Sequence, residues 1–219
     1  MIKAAVFQEK LNRYKEGVLI ALLIIFYSVG IFGLSTEAYR EEFLSLTFFN
    51  LSLSFVILLF GRLKHTKSFY LFVAFTFFIG MSAELIGVHT SLLFGEYTYG
   101  ESLGIKFFDV PIIIGVNWIM LTIISASVAQ HLKSPWWIKA LLATVLMLFL
   151  DILIEPVAIV SDYWTWQGEI PFSNYLTWFL ITLFLHLIYF RFKLAEKNKV
   201  GVALYIIQFM FFLILNLTI

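Results

Sequence analysis

The sequence predicts an all-α integral membrane protein, a bundle of about seven transmembrane helices, and three observations carry that reading. First, 61% of the 219 residues are hydrophobic and 13% charged, and the mean hydropathy is +0.94. A soluble domain of this length could not hide that much apolar surface in one core. Second, seven apolar runs each supply the roughly 20 helical residues that a bilayer core requires. Third, the basic residues gather in alternate connections between those runs.

The runs fall at about 17–35, 43–61, 69–88, 111–130, 136–156, 173–192 and 200–218. Lys3, Lys10, Arg13 and Lys15 precede the first, and Arg62, Lys64 and Lys67 lie between the second and third. Lys133 and Lys139 flank the fourth connection, and Arg191, Lys193, Lys197 and Lys199 fill the sixth. Only Arg40 and Lys106 are left for the other side. The positive-inside rule then places the N-terminus in the cytoplasm and the C-terminus outside. No hydrophobic core or cleavage site precedes the first run, so that span is expected to serve as an uncleaved targeting signal. With no cysteine there are no disulfides, thiol nucleophiles or thiolate metal sites. Residues 1–219 read as a single transmembrane domain without repeats.

Two connections are long, and both belong to the outer side: 89–110 and 157–172. They are rich in Tyr, Trp and acids, with Gly95, Gly100, Gly104 and Gly168 interleaved. Aromatics alone make an interfacial belt; these glycines and carboxylates point instead to a lid.

Under that lid, the stretch Leu146 to Pro156 places Asp151 and Glu155 four residues apart, on one helical face. An Asp near a bilayer centre costs roughly 2.5 to 3.5 kcal/mol, so such residues face a protein interior or a wet cavity. At a rise of about 1.5 Å per residue, Glu84 in the third span and Asp151 in the fifth both sit about 22 Å from the basic side. Asn117 and Trp118, following Pro111, and Asn174 and Trp178, following Pro171, reach the same layer. Glu155, beside Pro156, is expected to be more solvated than Asp151. Single intramembrane acids also serve as helix–helix contacts, and Asn174, Trp178, Thr182 and His186, spaced by four, fit either interhelical packing or a cavity wall.

Several chemistries lack their residues. His65, His89, His131 and His186 are scattered, so the ligand clusters of a di-iron hydroxylase are missing. There is no D-D-x-x-D pair for magnesium pyrophosphate, no lysine in the seventh span for retinal, and no glycine-rich nucleotide fingerprint. What remains is acid–base chemistry at the outer boundary. Neighbouring carboxyls titrate apart, giving an acid and a base, and Trp faces stabilise a cation by roughly 0.5 to 2 kcal/mol when desolvated. That combination suits protonation of an electron-rich alkene in a lipid-soluble substrate.

Ordered blocks then become recognisable: Glu84-Leu85-Ile86-Gly87-Val88-His89-Thr90, Phe94-Gly95-Glu96-Tyr97-Thr98-Tyr99, Val110-Pro111 with Asn117-Trp118, Asp151 through Ala158, Trp164-Thr165-Trp166, and Ile170 through Tyr175 with Trp178. Over about residues 80–180 the chain resembles the membrane carotenoid-biosynthesis family that includes bacterial carotenoid 1,2-hydratases and haloarchaeal bisanhydrobacterioruberin hydratase. It departs from the family pattern at Thr90-Ser91-Leu92-Leu93-Phe94-Gly95 and at Thr177 before Trp178. The resemblance implies a hydro-lyase that adds water across the C1=C2 double bond of an acyclic (ψ) carotenoid end, on lycopene or γ-carotene, without metal or redox cofactor. Asp151, Glu84 and Glu155 are then the catalytic acids. Asn117, Trp118, Trp164, Asn174, Trp178, Tyr97, Tyr99 and Glu96 border the substrate, and Glu155 and Glu96 lead water and protons inward. The implied partners are the carotenoid, membrane lipid and neighbouring pathway enzymes, with no nucleic acid, in a bacterial or archaeal cytoplasmic membrane. A carotenoid cyclase and a proton-coupled transporter are the alternatives.

Overall fold

The computed structural model describes residues 2–219, with side chains from residue 11 onward. Among the described residues eight α-helices follow in chain order: α1 Ile2–Ser35, α2 Arg40–Ser45, α3 Thr47–Phe60, α4 Lys67–Thr90, α5 Ile112–Ala129, α6 Trp136–Val160, α7 Phe172–Arg191 and α8 Lys199–Thr218, with a 3-10 turn Glu37–Tyr39 ahead of α2. Among the described residues, six helices are long and apolar enough to cross a membrane, or seven if the bent pair α2–α3 forms one span. Helices suit such a chain because they satisfy every backbone donor and acceptor internally where water is excluded.

The second expected span, 43–61, is broken. The segment Glu37–Ser45 and α3 meet at a 59° bend. Arg40, Glu41 and Glu42 make the first part polar, and Arg40 Nε donates 2.9 Å to the Leu34 carbonyl at the end of α1. The remaining 14 residues of α3 reach only about 21 Å at the helical rise, short of the roughly 30 Å core.

Helix starts carry local signals. Thr66 accepts from the Phe69 amide at 3.2 Å ahead of α4, and Asn198 accepts from the Gly201 amide at 3.1 Å ahead of α8. Pro111, Pro135 and Pro171 stand immediately before α5, α6 and α7, where a missing N–H costs nothing. Within α6, Pro156 does not end the helix, which continues to Val160. α5 is the central helix, with 78% of its residues buried.

Four short strands order the two long connections: β1 Tyr97–Tyr99, β2 Lys106–Phe107, β3 Val110–Pro111 and β4 Trp164–Trp166. β2 pairs antiparallel with β3 inside the first loop, whereas β1 pairs with β4 across both loops. The register sets Tyr97 opposite Trp166 and Tyr99 opposite Trp164. The two loops therefore form one lid. A Cβ on Gly100 would fall 2.0 Å from the Asp162 carbonyl oxygen, so the loops approach this closely only because a glycine stands there.

The connections rich in lysine and arginine meet at the opposite end. Lys199 Nζ reaches Glu16 at 2.9 Å, and the Leu63 amide donates to Glu196 at 2.9 Å. Arg62, only 5% exposed, joins three elements. Its Nη1 donates to the Tyr189 hydroxyl at 3.0 Å, its Nη2 to the Leu194 carbonyl at 2.6 Å and its Nε to the Lys64 carbonyl at 2.7 Å. The guanidinium lies 3.6 Å over the Phe69 ring. Arg62→Ala strands Tyr189 and the Leu194 carbonyl and is expected to cost about 3 kcal/mol. Thermal unfolding in detergent checks this, and a variant melting with the wild type would refute the anchor role.

Candidate active site

Glu84, one turn and a half before the end of α4, is 3% exposed and accepts three hydrogen bonds. The Tyr97 and Tyr99 hydroxyls donate to Oε2 at 2.6 and 2.7 Å, and Trp118 Nε1 donates to Oε1 at 3.0 Å. Alternation along β1 sends both tyrosines to the same side. Burial first, and the Glu84 charge second, push both phenols above their ordinary range.

Trp118 can reach Glu84 because Gly80 sits one turn earlier on α4. A Cβ there would lie 2.6 Å from the indole Cγ. The indole, fully buried, stacks on Trp178 of α7 with ring centroids 4.1 Å apart and planes 9° from parallel.

Asp151 and Glu155 project from one face of α6, each 4% exposed. Trp164 Nε1 donates to Glu155 Oε1 at 2.8 Å, and Trp166 Nε1 donates to the same oxygen. The expectation that Glu155 is solvated is therefore corrected: two lid indoles cover it. Asp151 Oδ2 has no hydrogen-bond partner among the described residues, and neither does Asn174 Nδ2, 2% exposed on α7. A buried acceptor and a buried donor thus stand open.

All three acids line one cavity of about 40 Å³, together with Tyr97, Tyr99, Asn117, Trp164, Asn174 and Trp178. That volume is enough for a water molecule, which needs about 10 to 15 Å³. The residues expected at the site from four helices and the lid converge here, with Trp118 behind Trp178. Glu96 does not join them; its side chain is exposed on the outside of the lid. Thr182 and His186 resolve as packing groups: Thr182 Oγ1 donates to the Trp178 carbonyl at 2.7 Å, and His186 bonds to Thr144 and the Thr122 carbonyl. Trp166, Phe94, Ile114 and Ile154 also line the cavity and were not named as site residues from the sequence. Trp166 was legible, because W-x-W on a strand turns both indoles the same way. Among the described residues no group of three His, Asp or Glu is disposed to hold a metal ion.

Fold and site together define a helical protein of the membrane type with a buried, aromatic-walled acid cluster under a lid. The chain belongs to the carotenoid biosynthesis protein family, whose model matches residues 42–219. It is also similar to bisanhydrobacterioruberin hydratase of Haloarcula japonica, at 28% identity over 114 residues. That match covers 44% of this chain and 36% of the relative, so the chain spans about a third of the relative's length. No solved structure matches.

The Gly80 contact is testable without an assay of function. Gly80→Ala forces the Trp118 indole off Glu84 and is expected to destabilise by about 1 to 3 kcal/mol. Gly17→Ala, with nothing within 4 Å of its Cβ, should be neutral or stabilising by up to about 1 kcal/mol. Equal melting temperatures for the two variants would remove Gly80 from the site's architecture.

Proposed function

We propose that the protein hydrates a ψ-end carotenoid, adding water across its C1=C2 double bond to give a tertiary alcohol. The observation that carries this reading is the open Asp151 Oδ2 in an aromatic cavity with two further acids. Membership of a carotenoid biosynthesis family and similarity to a named hydratase support it.

In the proposed reaction the protonated Asp151 carboxyl gives its proton to C2, and the alkene electron pair forms the new C–H bond. The tertiary cation left at C1 faces Trp178, Trp164 and Trp166, whose ring faces lower its energy. Asn174 Nδ2 is the free donor that fixes the water oxygen for attack on C1. Glu84, already accepting from three donors, is the carboxylate that takes the water's proton. Return of that proton to Asp151 closes the cycle, so the balance is alkene plus water to alcohol. Glu155 stands between this layer and the lid, on the side from which water enters. By the positive-inside rule the basic end faces the cytoplasm and the lid faces outward.

Expression in a lycopene-accumulating bacterium tests the reading. The wild type is expected to yield mono- and dihydroxy products, each heavier by the mass of one water per reacted end. Asp151→Asn and Glu84→Gln should lower conversion about 100-fold or more, the lower range of acid–base contributions. Unchanged lycopene with the wild type, products of unchanged mass, or full activity in both variants would overturn it.

A further inference from the structure

A second, larger cavity adjoins the acid cluster, and we infer that it takes one end of a linear isoprenoid chain through a lateral mouth between α1 and α3, leaving the substrate's other end in the bilayer. This deepens the hydratase reading and rests on it.

The cavity measures about 270 Å³ and is walled by α1, α2–α3, α5, α6 and α8. It shares Ile114, Asn117, Ile154 and Trp164 with the acid cavity, so those four residues form the neck between the two. Its walls are overwhelmingly apolar. The polar side chains Tyr27, Asn50 and Gln208 are tied together: Ser54 Oγ lies 3.3 Å from both the Tyr27 hydroxyl and Asn50 Oδ1, and Gln208 Nε2 donates to Tyr27 at 3.0 Å. Gln208 Oε1 is buried without a partner among the described residues.

The mouth is identified by residues that line the cavity and also face outward. Phe26 is 38% exposed, Val29 50%, Leu46 50% and Phe49 57%. They lie on α1 and at the α2–α3 bend, the level at which the second span is interrupted. An opening of apolar side chains on the side of a membrane bundle admits a solute dissolved in hydrocarbon. Size then limits how much enters. An apolar cavity of about 150 Å³ holds one benzene, so this one takes roughly a dozen carbons, an end group and the adjoining chain. The rest of a carotenoid must remain outside.

Two consequences follow. The nature of the far end does not affect turnover, so acyclic and monocyclic carotenoids react alike. A symmetric substrate must leave and re-enter to react twice, so the monohydroxy product accumulates before the dihydroxy product.

The test uses Asp151→Asn protein purified from the lycopene-accumulating host, with co-purified pigment measured by visible absorbance per protein. Val29→Trp or Phe49→Trp added to it should plug the mouth and reduce bound pigment about tenfold. Ile25→Trp, 56% exposed on the same helix but outside the cavity wall, should leave it unchanged. Pigment retained in both plugged variants, pigment absent from Asp151→Asn itself, or dihydroxy product formed without a monohydroxy lag would each overturn the inference. If Asp151→Asn still hydrates lycopene, the hydratase mechanism fails while the pigment comparison stands on its own.

Discussion

The rest of the site depends on satisfying one carboxylate away from water. An unpartnered acid near a bilayer centre costs roughly 2.5 to 3.5 kcal/mol on insertion scales, and a hydrogen bond to a charged group returns about 1.5 to 3 kcal/mol. Glu84 collects three such bonds, and each imposes structure elsewhere. Two come from Tyr97 and Tyr99, which must point inward from one strand. That strand needs a partner for its own backbone and finds it in Trp164–Trp166. The third comes from Trp118, which requires the bare backbone of Gly80 and a flat surface behind the indole, supplied by Trp178. The inward face of β1 and the Trp118–Trp178 stack are thus tied to a single acid's hydrogen-bonding needs.

The same ribbon serves Glu155 with the opposite strand. Tyr97 and Tyr99 on β1 meet Glu84, and Trp164 and Trp166 on β4 meet Glu155. Glu84 thereby accepts on both oxygens and Glu155 on Oε1, whereas Asp151 Oδ2 is left without a partner among the described residues. This asymmetry distinguishes the roles in the proposed reaction: the saturated Glu84 suits charge, and the open Asp151 suits contact with a substrate atom.

Much of this was legible in the sequence, for a physical reason. Intramembrane polar residues are costly enough to be rare, so Glu84, Asp151, Asn117 and Asn174 stand out against an apolar background, and the constant helical rise sets their depth. The features that were not legible depend on tertiary contact. The bend at Leu46 has no Pro or Gly to mark it, and the apolar run from Phe43 continues through it. Glu155 read as solvated because Pro156 suggested a helix end, yet α6 runs on for another turn and the lid descends over it. Glu96 was placed beside the substrate by the family resemblance alone, with no geometric argument behind it. Strand alternation turns Tyr97 and Tyr99 inward, whereas Glu96, just ahead of β1, keeps its side chain in solvent.

The broken second span and the lid belong to one design problem, that of bringing hydrocarbon and water to the same atom. A hydrating site needs both, but a channel open to both would let water into the chain-binding cavity. Here the two approaches are separated by direction. In the arrangement proposed above, the apolar mouth opens sideways between α1 and the short α3, and water is taken in from the lid side. The routes meet at a neck of Ile114, Asn117, Ile154 and Trp164, beside the open oxygen of Asp151. Thr47 Oγ1 and the Tyr163 hydroxyl, 3.0 Å apart, tie the first residue of α3 to the lid. That contact joins the start of α3 to the residue next to the strand that covers Glu155, and both hydroxyl-bearing residues line the larger cavity.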